Sequence, residues 1–169
     1  MATASGHAAG ADMYLRVQTK RAGKIKGEAK SQGHTDEIEL VGWRWGVSTG
    51  SALGNSQATG RRSYEALTVV KRIDAATTPL MSALATNDEV KELVLAMRRA
   101  GGEQEDYFTI KLEAGRISSM HHEVDAEGST TETVTVAFTK VELEYRLQRS
   151  SGQRGASTSF VDVLPTGGN

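Results

Sequence analysis

The sequence predicts a mainly β protein, an antiparallel barrel or sandwich with one flanking α-helix. Three observations carry that prediction. Several short segments show period-two apolar alternation, a single segment opens with Thr78-Pro79 and continues at helical spacing, and no internal repeat of fixed period interrupts them. The 169 residues are about one domain's length, and 38% apolar residues with 18 glycines suffice for one core.

The first strand is read from Met13, Leu15 and Val17 alternating with Tyr14, Arg16 and Gln18. Lys20 to Thr35 is polar and reads as an irregular connection. Glu37 to Val47 is the next strand. Ile38 and Leu40 share one parity and Val41, Trp43, Trp45 and Val47 the other, so a β-bulge is expected beside Gly42. Ser48 to Ser63 contains one leucine, no aromatic residue and mostly Gly, Ser, Thr, Ala and Asn. It cannot build its own core, and a connection of that length is unusual unless it binds something. It is the expected interaction loop, with Ser48, Leu53, Asn55, Arg61 and Arg62 as candidate contacts.

Leu67, Val69 and Ile73 predict a strand over Tyr64 to Ile73. A helix follows with Thr78 as N-cap, Pro79 in the first position and Leu80, Met81 and Leu84 as its apolar stripe. Asp88 to Arg99 fits either a helix (Val90, Leu93, Val94, Met97) or a strand (Leu93, Leu95, Met97), with periodicity leaning slightly to helix. The remainder is β-rich: Phe108, Ile110 and Leu112; a short strand with Ile117 and Met120 around Ser118 and Ser119; Val134, Val136 and Phe138; then Val141, Leu143, Tyr145 and Leu147. Past Arg149 the chain is Gly/Ser-rich, with an apolar patch at Phe160 to Leu164. The expected organisation is a flexible segment over 1–12, a barrel domain over 13–149 and a C-terminal segment over 150–169.

Composition narrows the function. Lys plus Arg is 20 and Asp plus Glu is 21, a net charge of −1, which argues weakly against nucleic acid or an anionic membrane surface as partner. No stretch approaches the roughly 18 apolar residues of a spanning helix. The absence of cysteine removes disulfides, thiolate nucleophiles and thiolate metal sites. Residues 1–12 lack a basic start and an apolar run, so no signal peptide is expected and folding in the cytoplasm follows.

The candidates for chemistry are few. His121, His122 and Glu123 are the densest cluster of potential ligands, but neighbours along a strand point to opposite faces, so they read as solvated strand-end residues. His34, Thr35, Asp36 and Glu37 read as turn or register residues. The serines form no nucleophile elbow and the glycines no phosphate cradle. Glu142 and Glu144 read as outward charges. Trp43 and Trp45 read as core, with Arg44 turned to the opposite face. Neither a catalytic site nor a metal or other cofactor is expected.

Four blocks of the chain resemble the haemolysin-coregulated protein family of type VI secretion systems. They are Lys26-Gly27-Glu28, His34 and Asp36 to Leu40 running into Trp43-Arg44-Trp45-Gly46; Leu67 to Asp74 leading into Thr78 to Met81; Ala100 to Glu103 followed by Tyr107 to Leu112; and Glu132 to Tyr145 with Phe138 and Lys140-Val141-Glu142. The blocks stand in family order over Met13 to Gln148. Arg44 departs from the pattern, since a small residue is common between the tryptophans, as does the charged run Asn87 to Lys91. The resemblance implies a compact antiparallel barrel with a flanking helix, six copies in a ring, and rings stacked into the inner tube of a contractile machine related to phage tail tubes. It implies effector proteins in the lumen, tip and sheath or baseplate proteins as partners, and export with the machine. It also implies strand from about Leu93, with Ala100-Gly101-Gly102 as a turn. Arg44, Ser118 and Ser119 are then candidate lumen-facing residues. The competing readings are a tail-tube protein of another contractile particle and a small-molecule-binding β-barrel whose tryptophans line a pocket, which predicts a monomer.

Overall fold

The computed structural model describes residues 12–51, 53–54, 56–99, 105–148 and 154–165. Its elements in chain order are β1 (Asp12–Thr19), β2 (Gly23–Ile25), β3 (Ile38–Arg44), β4 (Val47–Ser51), β5 (Ala58–Tyr64), β6 (Leu67–Arg72), α1 (Thr77–Ala85), β7 (Val90–Arg98), β8 (Asp106–Val124), β9 (Thr130–Ala137), β10 (Lys140–Gln148) and β11 (Arg154–Val163).

Alternation buries one face of each barrel strand. Leu15 and Val17 of β1, Ile38 and Leu40 of β3, Leu67 and Val69 of β6, Leu93 and Leu95 of β7, Ile110, Leu112 and Ile117 of β8, and Val134 and Val136 of β9 point into one core. These strands pair antiparallel in the order β8-β7-β1-β3-β6-β9, and β9 pairs back onto β8, which closes a six-stranded barrel. A barrel this small is filled by its own side chains. Leu80 and Ala83 of α1 are buried against the same core, so the helix is a flank, as the fold class required.

Closure depends on β8, which is 19 residues long. Its first part pairs with β7 and β10, and its second part with β9. The change falls at Ala114, whose φ is 51°, and Gly115, where a Cβ would lie 2.1 Å from the carbonyl oxygen of Ala137. Only glycine allows the backbones to approach so closely. Beyond that point β10 replaces β9 along β8, and β11 pairs with β10, extending the sheet away from the barrel.

Several local expectations need correction. Lys20 to Thr35 contains β2, which pairs with β1 through Val17–Ile25. The two strands expected at 108–112 and 117–120 are one continuous β8. Residues 48–63 form the hairpin β4–β5 rather than an irregular loop, because alternate Ser, Thr and Arg side chains tolerate a solvated ladder. The Tyr64 to Ile73 strand is interrupted after Tyr64. On β6 the buried parity runs Leu67, Val69, Lys71, leaving Ile73 54% exposed. The helix begins at Thr77 with Ala76 at its N-cap, so Thr78 and Pro79 lie inside the first turn, where Pro79 still loses no helical hydrogen bond. Met81 is exposed. The slight periodicity lean to helix at 88–99 is overturned: β7 starts at Val90, and its cross-strand pairs with β1 and β8 decide what periodicity left open. The bulge is where expected, between Leu40 and Gly42, but it turns Val41 outward, and Val47 is exposed as well. Part of the segment 150–169 is a strand, β11. Residues 1–11 and the expected turn at Ala100-Gly101-Gly102 lie outside the described residues.

Candidate assembly surface

Besides α1 and the short β2, two elements of the described residues stand outside the barrel, the hairpin β4–β5 and the extension β10–β11. The hairpin leaves the barrel at a neck where the Glu65 N–H donates to the Gly46 carbonyl at 2.9 Å. At that neck Trp45 stacks on Tyr64 with ring centroids 5.6 Å apart, and Phe138 packs against both at 6.2 and 5.9 Å. Trp43 stacks on Phe108 at 6.1 Å. Both tryptophans are half-buried, pack against the core cluster, as expected, and are engaged with protein rings.

Beyond the aromatic neck the hairpin meets β11. Arg62 holds Asp162 with both Nε and Nη2, the latter at 2.8 Å, and Nη2 also donates to the Val163 carbonyl at 3.2 Å. The Tyr64 hydroxyl donates to the same carboxylate at 2.6 Å. Hydrogen bonds from Arg62 and then Tyr64 hold the Asp162 carboxyl below the ordinary carboxylate range. The same contact raises the Arg62 guanidinium, while burial first, and then Asp162, raises the Tyr64 phenol.

Of the residues expected at the contact loop, Ser48 on β4 and Arg61 on β5 are exposed, and Leu53 is fully exposed at the tip. Arg62 is engaged by Asp162, and Asn55 lies outside the described residues. Of the expected lumen-facing residues, Arg44 is exposed at the end of β3. Ser118 is exposed and donates to the Thr135 carbonyl at 3.1 Å, whereas Ser119, beyond a bulge, is half-buried. On β11, Phe160, Val161 and Val163 are 46–60% exposed. Among the described residues β11 pairs with β10 alone, so its other edge is not covered by a described strand. Glu142 and Glu144 lie on the face of β10 opposite the buried Val141, as expected, and are half-buried there.

Sequence reasoning missed two buried polar networks. Lys71 and Glu132 are both 0% exposed, with Nζ–Oε2 at 3.3 Å. Asp74 (2.7 Å) and Thr77 (3.1 Å) complete the ammonium's contacts. This network ties the start of α1 to the β6–β9 seam. In the second, His34 and Glu37, expected as turn residues, are buried, although Asp36 is an exposed turn residue with φ 63°. His34 Nδ1 faces Glu37, its Nε2 faces Asp106 at 2.7 Å, and the ring stacks on Tyr14 at 4.3 Å. Both ring nitrogens are taken by carboxylates, which leaves neither to move a proton on a substrate. The signal for Lys71 was available, since it occupies the core parity of β6; nothing in local sequence pairs it with Glu132, 61 residues away. His121, His122 and Glu123 are exposed near the end of β8.

The comparisons with known proteins decide the family. A family model described as "Type VI secretion system effector, Hcp" matches residues 14–145. The chain is 31% identical over 147 residues to protein hcp1 of Pseudomonas aeruginosa, covering 85% of this chain and 88% of the relative. The chain belongs to the Hcp family of type VI secretion proteins. It is also 26% identical over 135 residues to the major exported protein of the same organism, covering 75% and 78% of the two chains. A solved structure described as a type six secretion system protein superposes with a TM-score of 0.77 at 25% identity, covering 87% of this Hcp chain and 91% of that one. The fold class and family expected from the four sequence blocks are thus both correct. The Hcp family is one of structural, secreted tube proteins rather than enzymes.

Proposed function

We propose that six copies of this Hcp protein close head-to-tail into a ring, and that rings stack through the β4–β5 hairpin into a tube that carries effector proteins in its lumen. The observation that carries this reading is the pair of unlike elements outside the barrel. A head-to-tail ring needs two different patches on each subunit. The extension β10–β11 offers an open strand edge beside Phe160, Val161 and Val163. The hairpin offers a projecting, largely uncharged strip ending at Leu53. An isolated two-stranded hairpin is marginal in water, so a projecting one is best explained by a contact that it completes.

Arg44 and Ser118 are exposed side chains that a ring of six would repeat around its channel. Tip and sheath or baseplate proteins are the further partners, and the protein leaves the cell with the tube. Light scattering on the purified protein tests the ring, and electron microscopy tests the stack. Rings that do not stack when the hairpin is intact and concentrated would remove the hairpin's assigned role.

A further inference from the structure

The two elements outside the barrel meet at one carboxylate, Asp162. Among the described residues, Val47 to Gly50 and Gly60 to Ser63 are exposed, and β4 and β5 pair only with each other. The hairpin's neck is a pair of residues outside the strands at each side, Trp45-Gly46 and Glu65-Ala66. Aromatic stacking of Trp45, Tyr64 and Phe138 fixes where the hairpin is attached. It does not fix where the hairpin points, because ring stacks tolerate sliding and tilt.

The fork of Arg62 on Asp162 is directional. A guanidinium holding a carboxylate through Nε and Nη2 specifies both distance and plane, which a lysine cannot reproduce. Arg62 and Tyr64 lie two residues apart on β5 and so on one face, and both converge on Asp162. The side chain of Asp162 is only 16% exposed. Its own strand is held in register through Val141–Asp162 and by the Leu164 N–H donating to the Thr139 carbonyl at 2.7 Å. The carboxylate is thus mounted on the sheet, and its two partners stand on the hairpin.

We propose that Asp162 is a positioning residue for assembly: through Arg62 and Tyr64, the C-terminal strand β11 sets the direction in which the β4–β5 hairpin leaves the barrel. This rests on the reading of the hairpin as the stacking element. It adds that the strand edge offered for lateral contact and the hairpin offered for axial contact are joined through one side chain, so that ring closure and stacking are linked within each subunit.

The test compares the wild-type protein with Asp162→Asn, Asp162→Ala, Arg62→Lys and the exchanged pair Arg62→Asp/Asp162→Arg. Amide hydrogen exchange is followed at Val47 to Thr49 and Arg62 to Tyr64, with Leu15 and Leu95 as barrel references, and stacking is followed by sedimentation velocity. Asp162→Ala speeds hairpin exchange by about tenfold or more while the barrel references stay unchanged. Ring mass is kept and the stacked fraction falls several-fold. Asp162→Asn and Arg62→Lys give smaller changes of the same sign, and the exchanged pair restores both readouts. Hairpin exchange in Asp162→Ala within about twofold of wild type overturns the proposal, as does a loosened hairpin that stacks normally. A wild-type protein that forms no rings defeats the ring-and-stack reading and with it the role in assembly, whereas the exchange comparison separately decides whether Asp162 holds the hairpin.

Discussion

The barrel and the hairpin β4–β5 are both antiparallel β-structure, yet they are held by different physics. In the barrel, every strand has a neighbour on each side, and its inward residues are fully removed from water. Each buried Leu, Ile or Val contributes about 1.5–3 kcal/mol. The hairpin has one strand pair, exposed faces and a polar anchor at Asp162. The barrel is stable because it is closed; the hairpin, in the proposed function, is left open for a contact outside the subunit. Substitutions should therefore separate into those that melt the protein and those that leave it folded but alter assembly.

The largest expected loss is in the barrel seam. Glu132→Ala removes one of the two carboxylates on the fully buried Lys71 and the acceptor of the Thr77 hydroxyl, which costs about 3 kcal/mol with Asp74 still 2.7 Å from the amine. In a thermal scan the midpoint falls by on the order of 10 °C. Replacing both partners by apolar residues, Lys71→Met with Glu132→Leu, recovers part of that loss, since Asp74 keeps the Ala76 N–H but loses the amine. A midpoint unchanged in Glu132→Ala contradicts the network.

Gly115→Ala comes next. The new Cβ would meet the Ala137 carbonyl oxygen at 2.1 Å, so either β8 or β9 must shift where the barrel closes. The expected destabilisation is about 1–3 kcal/mol, measured by denaturant unfolding. Gly46 and Glu65 are already hydrogen-bonded to each other, so replacing the hairpin between them by a short Gly-Ser turn leaves the barrel's thermal transition within about 1 kcal/mol of wild type. Ring stacking is lost in the same variant. If deletion unfolds the barrel, the two regions are not independent.

Acid should act on both regions. Burial pushes the Asp88 carboxyl up, but hydrogen bonds from Thr19 and from the N–H groups of Arg21 and Ala22 outweigh it, so its net shift is downward. Asp162 is lowered by Arg62 and Tyr64. A carboxyl lowered in the folded state stabilises above its unfolded value and loses that stabilisation as pH falls through the folded value, so both contributions fade below about pH 4. The protection factor of the hairpin amides, exchange corrected for its intrinsic pH dependence, falls between pH 6 and pH 3 in wild type. In Asp162→Ala it is already low at pH 6 and changes less. The smallest effect is expected for Arg44→Ser: the exposed side chain leaves the fold unaltered, rings form, and the change is confined to which acidic effectors copurify.

What was legible in the sequence follows the same division. The barrel's strands carry alternation, and Leu15, Leu67, Leu93, Ile110 and Val134 lie buried where their period placed them. Lys71 was missed because alternation was read from apolar residues alone, and its compensation by Glu132 exists only in three dimensions. His34 was read as a turn residue because two of the three groups that enclose it, Tyr14 and Asp106, come from distant parts of the chain, and only Glu37 is local. The hairpin's composition signalled a segment without a core, but its strand pairing was invisible, because Ser, Thr and Gly give no parity to read. Asp162 lay in a segment read only as a Gly/Ser-rich tail with an apolar patch. Its role needed the contact with Arg62, 100 residues earlier.

The central claim is that this subunit is built to assemble. Multi-angle light scattering of the purified protein at micromolar concentration and ordinary salt tests it most directly. The account predicts a single species with six times the mass of one chain, unchanged when the hairpin is shortened and converted to longer stacks only when it is intact. A monomer across that concentration range would contradict it.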